Sequence, residues 1–511
     1  AIGVEKEKES YNLTLKAIGP DGKPAEFVGA LAAVNGNSFQ FLGDGSTTLT
    51  LRLPRGEYLA QNSQYVEKPN GDGAEYDLVQ PSVELTKDTT VVFDARTAKL
   101  VKVTVPQAGA QPALADIGYD RTSADGRYSS GYSGLQFGFG ETYTAQVGSA
   151  VLPATQLTSH VASQWAKPNA DGSFSNSPYL VGQLNTFPGV YPTGFVRAVK
   201  PSEQATLVQT INATGDRGHE RVVLGRGAGT SGGWAISLEY GKAPLTTTVY
   251  ADGGPVTWST EVSEVVPSTD PNDPFPQPVS QLSSQAKPYR AGRTYRERFN
   301  AAAFSTGPDQ ATRTGSNLYV SMYGLVDADG NGGGVLSDTG STKLLRNGKV
   351  VAESPYFGYL EAADLPAGKS TYTLESSQTQ SIMPFATRTE LKWTFGSAAT
   401  AAETPLPLLG IRYQPKVDDH NVTDRKPVTV LPVVVDPQLG MALPAIRKVT
   451  IQVSGDDGKT WHAAAILPIG HGRYKAIFPT PAGQSVSLRS HVVDGSGNAT
   501  DVTVHKAYVL R

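Results

Sequence analysis

Cysteine is absent from the 511 residues, and there are only three methionines. Without thiols the chain has no disulfide staple, thiolate zinc site, c-type haem attachment or cysteine nucleophile. Charge is scarce as well: 18% of residues are charged, against about 25% in an average soluble protein. The formal net charge is −3, which offers no basic field for nucleic acid. Long apolar runs are missing too. Val428 to Val435 is interrupted by proline and is far short of the ~20 residues that cross a bilayer. Neither nucleic acid nor a membrane is therefore expected as a partner. Helical periodicity is almost absent, Arg296 to Phe304 being the best candidate for a short helix.

Glycine and proline are plentiful, at 54 and 35 residues, and tyrosine leads the aromatics with 22. Period-2 alternation dominates. It runs through Tyr11 to Ala17, Ser46 to Leu53, Leu100 to Val105 and Lys448 to Val453, with turn pairs such as Asp21-Gly22, Asp171-Gly172 and Asp457-Gly458 in between. Short β-branched runs bounded by turn chemistry are half-buried strands. The expected fold is all-β, a series of β-sandwich modules.

Punctuation suggests the boundaries. Residues 1–105 read as a transthyretin-like or carboxypeptidase-regulatory-like sandwich and 106–265 as a β-rich middle domain. Residues 266–288, with five closely spaced prolines, read as a stiff connector excluded from sheets. A further sandwich is expected over 289–402 and an Ig- or fibronectin-like one over 403–511.

Asp327, Asp329 and Asn331 supply oxygens at positions 1, 3 and 5 of a loop, with Gly332 at 6 and Asp338 at 12. That spacing fits calcium. The strand pattern before it argues against a true EF-hand, and a bare hairpin tip is the alternative reading. Gly229-Thr230-Ser231-Gly232-Gly233 matches G-x-S-x-G, yet a nucleophilic serine needs a histidine and a carboxylate. His219 is near in sequence but sits in no recognisable protease context, so a glycine-rich hairpin loop accounts for the run. Tyr128 to Tyr132 and Tyr356 to Tyr359 could line a carbohydrate or peptide groove. Acidic residues are too dispersed to nominate a catalytic pair.

Several passages resemble one family. Val486 to Ser490, Asp494 to Asn498 and Ala507 to Arg511 are similar to the C-terminal end of large secreted subtilisin-like serine peptidases of actinobacteria. So are Val453 to Trp461, Trp393 to Ala398, Tyr289 to Glu297, Leu51 to Tyr58 and Phe93 to Arg96. The resemblance implies the family's noncatalytic C-terminal region, because the Gly-Thr-Ser-Met-Ala context of its serine is absent and no catalytic residue carries over. It implies a secreted, extracellular chain, with Ala1 as a cleavage product or as an arbitrary boundary downstream of the protease domain. The implied partner is a subtilisin-like catalytic chain or domain, held noncovalently if cleaved, acting on a protein substrate. Two other readings stay open. A stand-alone carbohydrate-binding protein predicts a planar aromatic strip on a sheet face. A serine hydrolase using Ser231 predicts a serine within about 3 Å of a histidine nitrogen.

Overall fold

The computed structural model describes residues 9–67, 73–227, 235–273 and 275–511. Among them the fold is all-β, with strands in six sheets and two single-turn 3-10 helices as the helical elements. Alternation explains the outer strands. In Ser10–Ile18, Leu13, Leu15 and Ala17 are buried while Lys16 is exposed.

Four sheets are layered. The first has three strands in the order Thr48–Pro54, Ser10–Ile18 and Thr89–Asp94. The second runs Phe195–Ala198, Lys99–Thr104, Glu141–Gln146, Gly73–Leu85, Gly56–Glu67, Gly29–Ala33 and Phe39–Leu42. The third runs Ser129–Gln136, Gln111–Thr122, Leu157–Ala166, Tyr179–Pro188, Leu245–Asp252, Gln204–Ile211 and Thr294–Phe299. The fourth includes Gly218–Gly227, Val256–Val266, Gln277–Ser283, Asn317–Val326 and Ser305–Thr314.

Each pair of neighbouring layers encloses an apolar seam. Leu13, Leu15, Leu78 and Phe93 meet in the first, and Leu59, Val79, Ile117, Val161 and Trp165 in the second. Ala166, Leu184, Leu207, Val223 and Trp258 fill the third. Trp258 lies against Gly182 of the facing sheet and Gly225 of its own, where an added Cβ would come within 2.6 and 2.7 Å of the ring. Sheets inside such a stack bury both faces. Leu157–Ala166 is consequently buried at all ten positions although half its residues are polar.

The C-terminal half is built differently. A nine-stranded sheet places Ala499–Leu510 between Arg388–Ser397 and Ser485–Asp494. It and a four-stranded sheet (Leu409–Tyr413, Val428–Pro437, Arg473–Pro479, Ala465–Gly470) share one large core with the fourth sheet. Trp393, Tyr413, Phe478 and Tyr508 lie inside that core. Each fully buried Leu, Val or Phe there contributes roughly 1.5–3 kcal/mol.

Three expectations need correction. Arg296 to Phe304 is not helical: Thr294–Phe299 is a strand parallel to Gln204–Ile211. The proline-rich stretch is not a connector outside the sheets, because Gln277–Ser283 pairs with Val256–Val266 and Gly332–Val335. Its Pro278 stands opposite Val265 at a register shift, where a missing N–H is tolerated. The breaks at 105 and 402 do not separate sheets either. Lys99–Thr104 sits between Glu141–Gln146 and Phe195–Ala198, and Arg388–Ser397 pairs with Ala499–Leu510.

Candidate functional site

The four residues expected to ligate calcium do not converge. Asp327 Oδ1 accepts the backbone N–H groups of Asp329 and Asn331 at 3.0 and 2.9 Å, and Oδ2 accepts the Asn331 side-chain amide at 2.8 Å. Asp329 turns to Arg298, 2.8 Å away. Asp338 accepts from Ser381 at 2.9 Å. Among the described residues no three His, Asp or Glu side chains gather in a way that could hold a metal ion. Donors from the loop itself occupy the first carboxylate.

A twin elsewhere in the chain gives the reason. Asp494 Oδ1 accepts the N–H groups of Ser496 and Asn498 at 2.8 and 2.9 Å, and Oδ2 the Asn498 amide at 2.8 Å. The same backbone bonds close both turns: Asp327 N to Asn331 O and Asp494 N to Asn498 O, each at 3.0 Å. Serine replaces the second acid in the twin, so this Asp–x–x–Gly–Asn hairpin needs no cation ligand at that position.

Ser231 and the whole Gly229 to Gly233 motif lie outside the described residues. His219 is fully buried, with Nδ1 3.3 Å from Gly241 O and Nε2 3.8 Å from Glu264. Burial pushes its imidazole below the usual range, against the pull of Glu264. His160 meets Asp116 at 3.1 Å and His491 meets Asp501 at 2.8 Å. Every His hydrogen bond among the described residues runs to a carboxylate or a carbonyl.

Of the tyrosine-rich stretches, Tyr356 to Tyr359 stays on the surface, where Tyr319 and Tyr359 meet edge to face at 84°. Tyr132 turns inward and leads to a cluster that the sequence reading missed. Glu75 and Asp77, two apart in Gly73–Leu85, share the sheet face of Val79 in the second seam. Cross-strand from Asp77, Ser63 donates to its Oδ1 at 2.6 Å. Gln61 reaches Ser63 at 3.3 Å and accepts the Tyr119 hydroxyl at 2.9 Å. Glu75 accepts from Gln136, which in turn accepts from Thr142 at 2.8 Å.

Tyrosine rings wall this cluster. Tyr119 lies 5.9 Å from Tyr132 and 6.0 Å from Tyr191 between ring centroids. Burial, then the neighbouring Glu75, pushes the Asp77 carboxyl up to about 7. Burial also raises Glu75 and all three phenols. The only sequence signal was the alternation Glu75-Tyr76-Asp77, two acids on one face of a strand, and it was lost among dispersed carboxylates.

Two ion pairs brace the same seam. Arg121, almost fully buried, donates to Glu57 at 2.5 Å and to Pro81 O at 3.1 Å. Arg197 grips Asp252 through both terminal nitrogens, each at 3.0 Å. Paired fork geometry of this kind fixes orientation as well as energy.

No family model and no curated protein matches the chain. Two solved structures show faint likenesses. The Bacillus anthracis TIE protein is 10% identical with a TM-score of 0.12, over 57% of this chain and 50% of that one. A streptococcal ancillary pilin is 9% identical with a TM-score of 0.11, over 57% of this chain and 99% of that one. The match thus spans about half the length of the first.

Proposed function

We propose that the chain is the accessory, noncatalytic C-terminal part of a secreted, extracellular subtilisin-like serine protease, a rigid support on which the protease domain docks. The sequence resemblance suggests the family. The observation that carries a supporting role is the interleaving of the sheets. Phe195–Ala198 extends a sheet begun by residues 29–104, and Thr294–Phe299 completes one begun at residue 111. Modules strung on linkers would move against each other. Shared sheets cannot bend at those points without breaking ladder hydrogen bonds, so a docked catalytic chain would keep a fixed orientation toward a protein substrate. With no cysteine available, that docking is noncovalent after cleavage.

The carbohydrate-binding alternative asks for coplanar exposed rings. Phe39 and Phe41, both exposed, and exposed Tyr359 with half-buried Tyr319 each meet at 84°, which favours the support.

A fluorophosphonate serine-hydrolase probe, applied to the culture-derived protein and to the isolated chain and read by intact mass, tests the proposal. The expected label falls on a separate co-purifying chain. Label on this chain itself would overturn the proposal and bring Ser231 forward.

A further inference from the structure

We propose that the oxygen cluster around Asp77, in the seam between the second and third sheets, binds a hard cation of the calcium class. The site is distinct from the Asp327 hairpin, and the proposal does not depend on the docking role.

The first observation is a missing counter-charge. Asp77 is fully buried and Glu75 is its neighbour on the same face, yet the groups acting on the pair are Ser63, Gln136 and one another. Two other buried acids have cationic partners. Asp252 has Arg197, and Glu264 has Arg217 at 3.7 Å with His219 at 3.8 Å. Two carboxylates left together without a cation are unfavourable in a low-dielectric seam.

The second observation is independent of charge. Asp77 Oδ2 is buried without a hydrogen-bond partner, and so is the hydroxyl of Tyr191, a residue 1% exposed. Tyr191 meets Tyr119 edge-on, and Asp77 is the carboxylate that most raises its phenol after burial itself. A chain of contacts joins the two residues: Tyr191 packs on Tyr119, Tyr119 donates to the Gln61 carbonyl, Gln61 reaches the Ser63 hydroxyl, and Ser63 donates to Asp77.

A proton on Asp77 would neutralise one acid of the pair and leave Glu75 without a counter-charge. A water would satisfy the orphan oxygens but leave the two acids uncompensated. A cation does both. The available ligands are all oxygens: carboxylate, hydroxyl, amide carbonyl and phenol. That donor set suits a hard ion of the calcium type over zinc or copper, which favour nitrogen and sulfur.

Terbium ions titrated into the full-length chain test the assignment, because tyrosine excitation sensitises a terbium ion held against the rings. The expected result is saturable terbium emission that calcium displaces. Asp77→Asn should abolish it, and Tyr191→Phe should weaken binding about tenfold. Asp327→Asn should leave it unchanged. If Asp77→Asn fails to fold, Glu75→Gln, nearer the surface, is expected to lose the signal in its place. Absence of saturable emission in the unaltered chain would overturn the proposal. So would emission that survives Asp77→Asn or disappears with Asp327→Asn.

Discussion

Asp77 and Asp327 are both fully buried, and burial pushes both carboxyls up to about 7. Their surroundings differ. The Asp327 oxygens accept three N–H donors supplied within four residues of chain. Asp77 has one serine on one oxygen and nothing on the other. The first acid closes a hairpin, and its sequence spacing looks like a metal loop. The second has no motif around it, yet it keeps the unused valence a ligand needs. Spacing along the chain reports how a turn is made; unspent hydrogen-bonding capacity reports where something else can bind.

The largest expected effect is on pH, since both acids contribute. Each has a reference value of 3.8 and a folded value of about 7. Between those limits the folded chain holds protons that the unfolded chain has released. Stability in a chelating buffer should therefore fall as pH rises through that window. His219, lowered by burial, works the other way over the upper part. Urea midpoints measured across the window check this, and a net rise would remove the likeness between the two acids.

Next in size is Asp327→Ala, which strands three donors in a buried turn and should cost about 3 kcal/mol. Denaturant unfolding at unchanged m-value reads it. Asp494→Ala should cost a similar amount, and an unequal pair would break the twin-hairpin argument. Tyr119→Phe in the seam should cost about 1 kcal/mol, by leaving the Gln61 carbonyl without its donor. The smallest effect belongs to Asp329→Ser, which gives the hairpin its twin's third residue. It loses only a half-exposed pair with Arg298 and should cost about 0.5 kcal/mol or less. Calcium should shift the thermal melt of the variant by the same amount as that of the unaltered chain.

Much of the fold was legible because outer strands have one wet face. Ser10–Ile18 and Ile446–Ser454 alternate as their burial requires. Leu157–Ala166 was not legible as an individual strand: covered on both sides, it has no polar face to alternate with, and its Thr, Ser, His and Gln are buried with the rest. Prolines misled at 266–288, where a bulge lets Pro278 join a ladder. Trp461 lies under Arg489, whose guanidinium is 4.7 Å from the ring centroid. The acid–tyrosine cluster could not be read in advance. Gln61, Glu75, Tyr119 and Tyr191 come from distant parts of the chain, and only the pairing of two sheets brings them together.

The placement of Ala499–Leu510 in the middle of the nine-stranded sheet bears on how the chain reaches its native state. Strands on either side of it, from residues 388–397 and 485–494, lack that neighbour until the segment has emerged. Synthesis from the N terminus thus leaves the edge at Arg388–Ser397 open while about a hundred further residues appear, whereas Ser485–Asp494 emerges shortly before its partner. Non-local closure of this kind is slow, and open edges invite pairing with other chains. A polypeptide arranged in this way depends on Ala499–Leu510 to close those edges and end their exposure to aggregation.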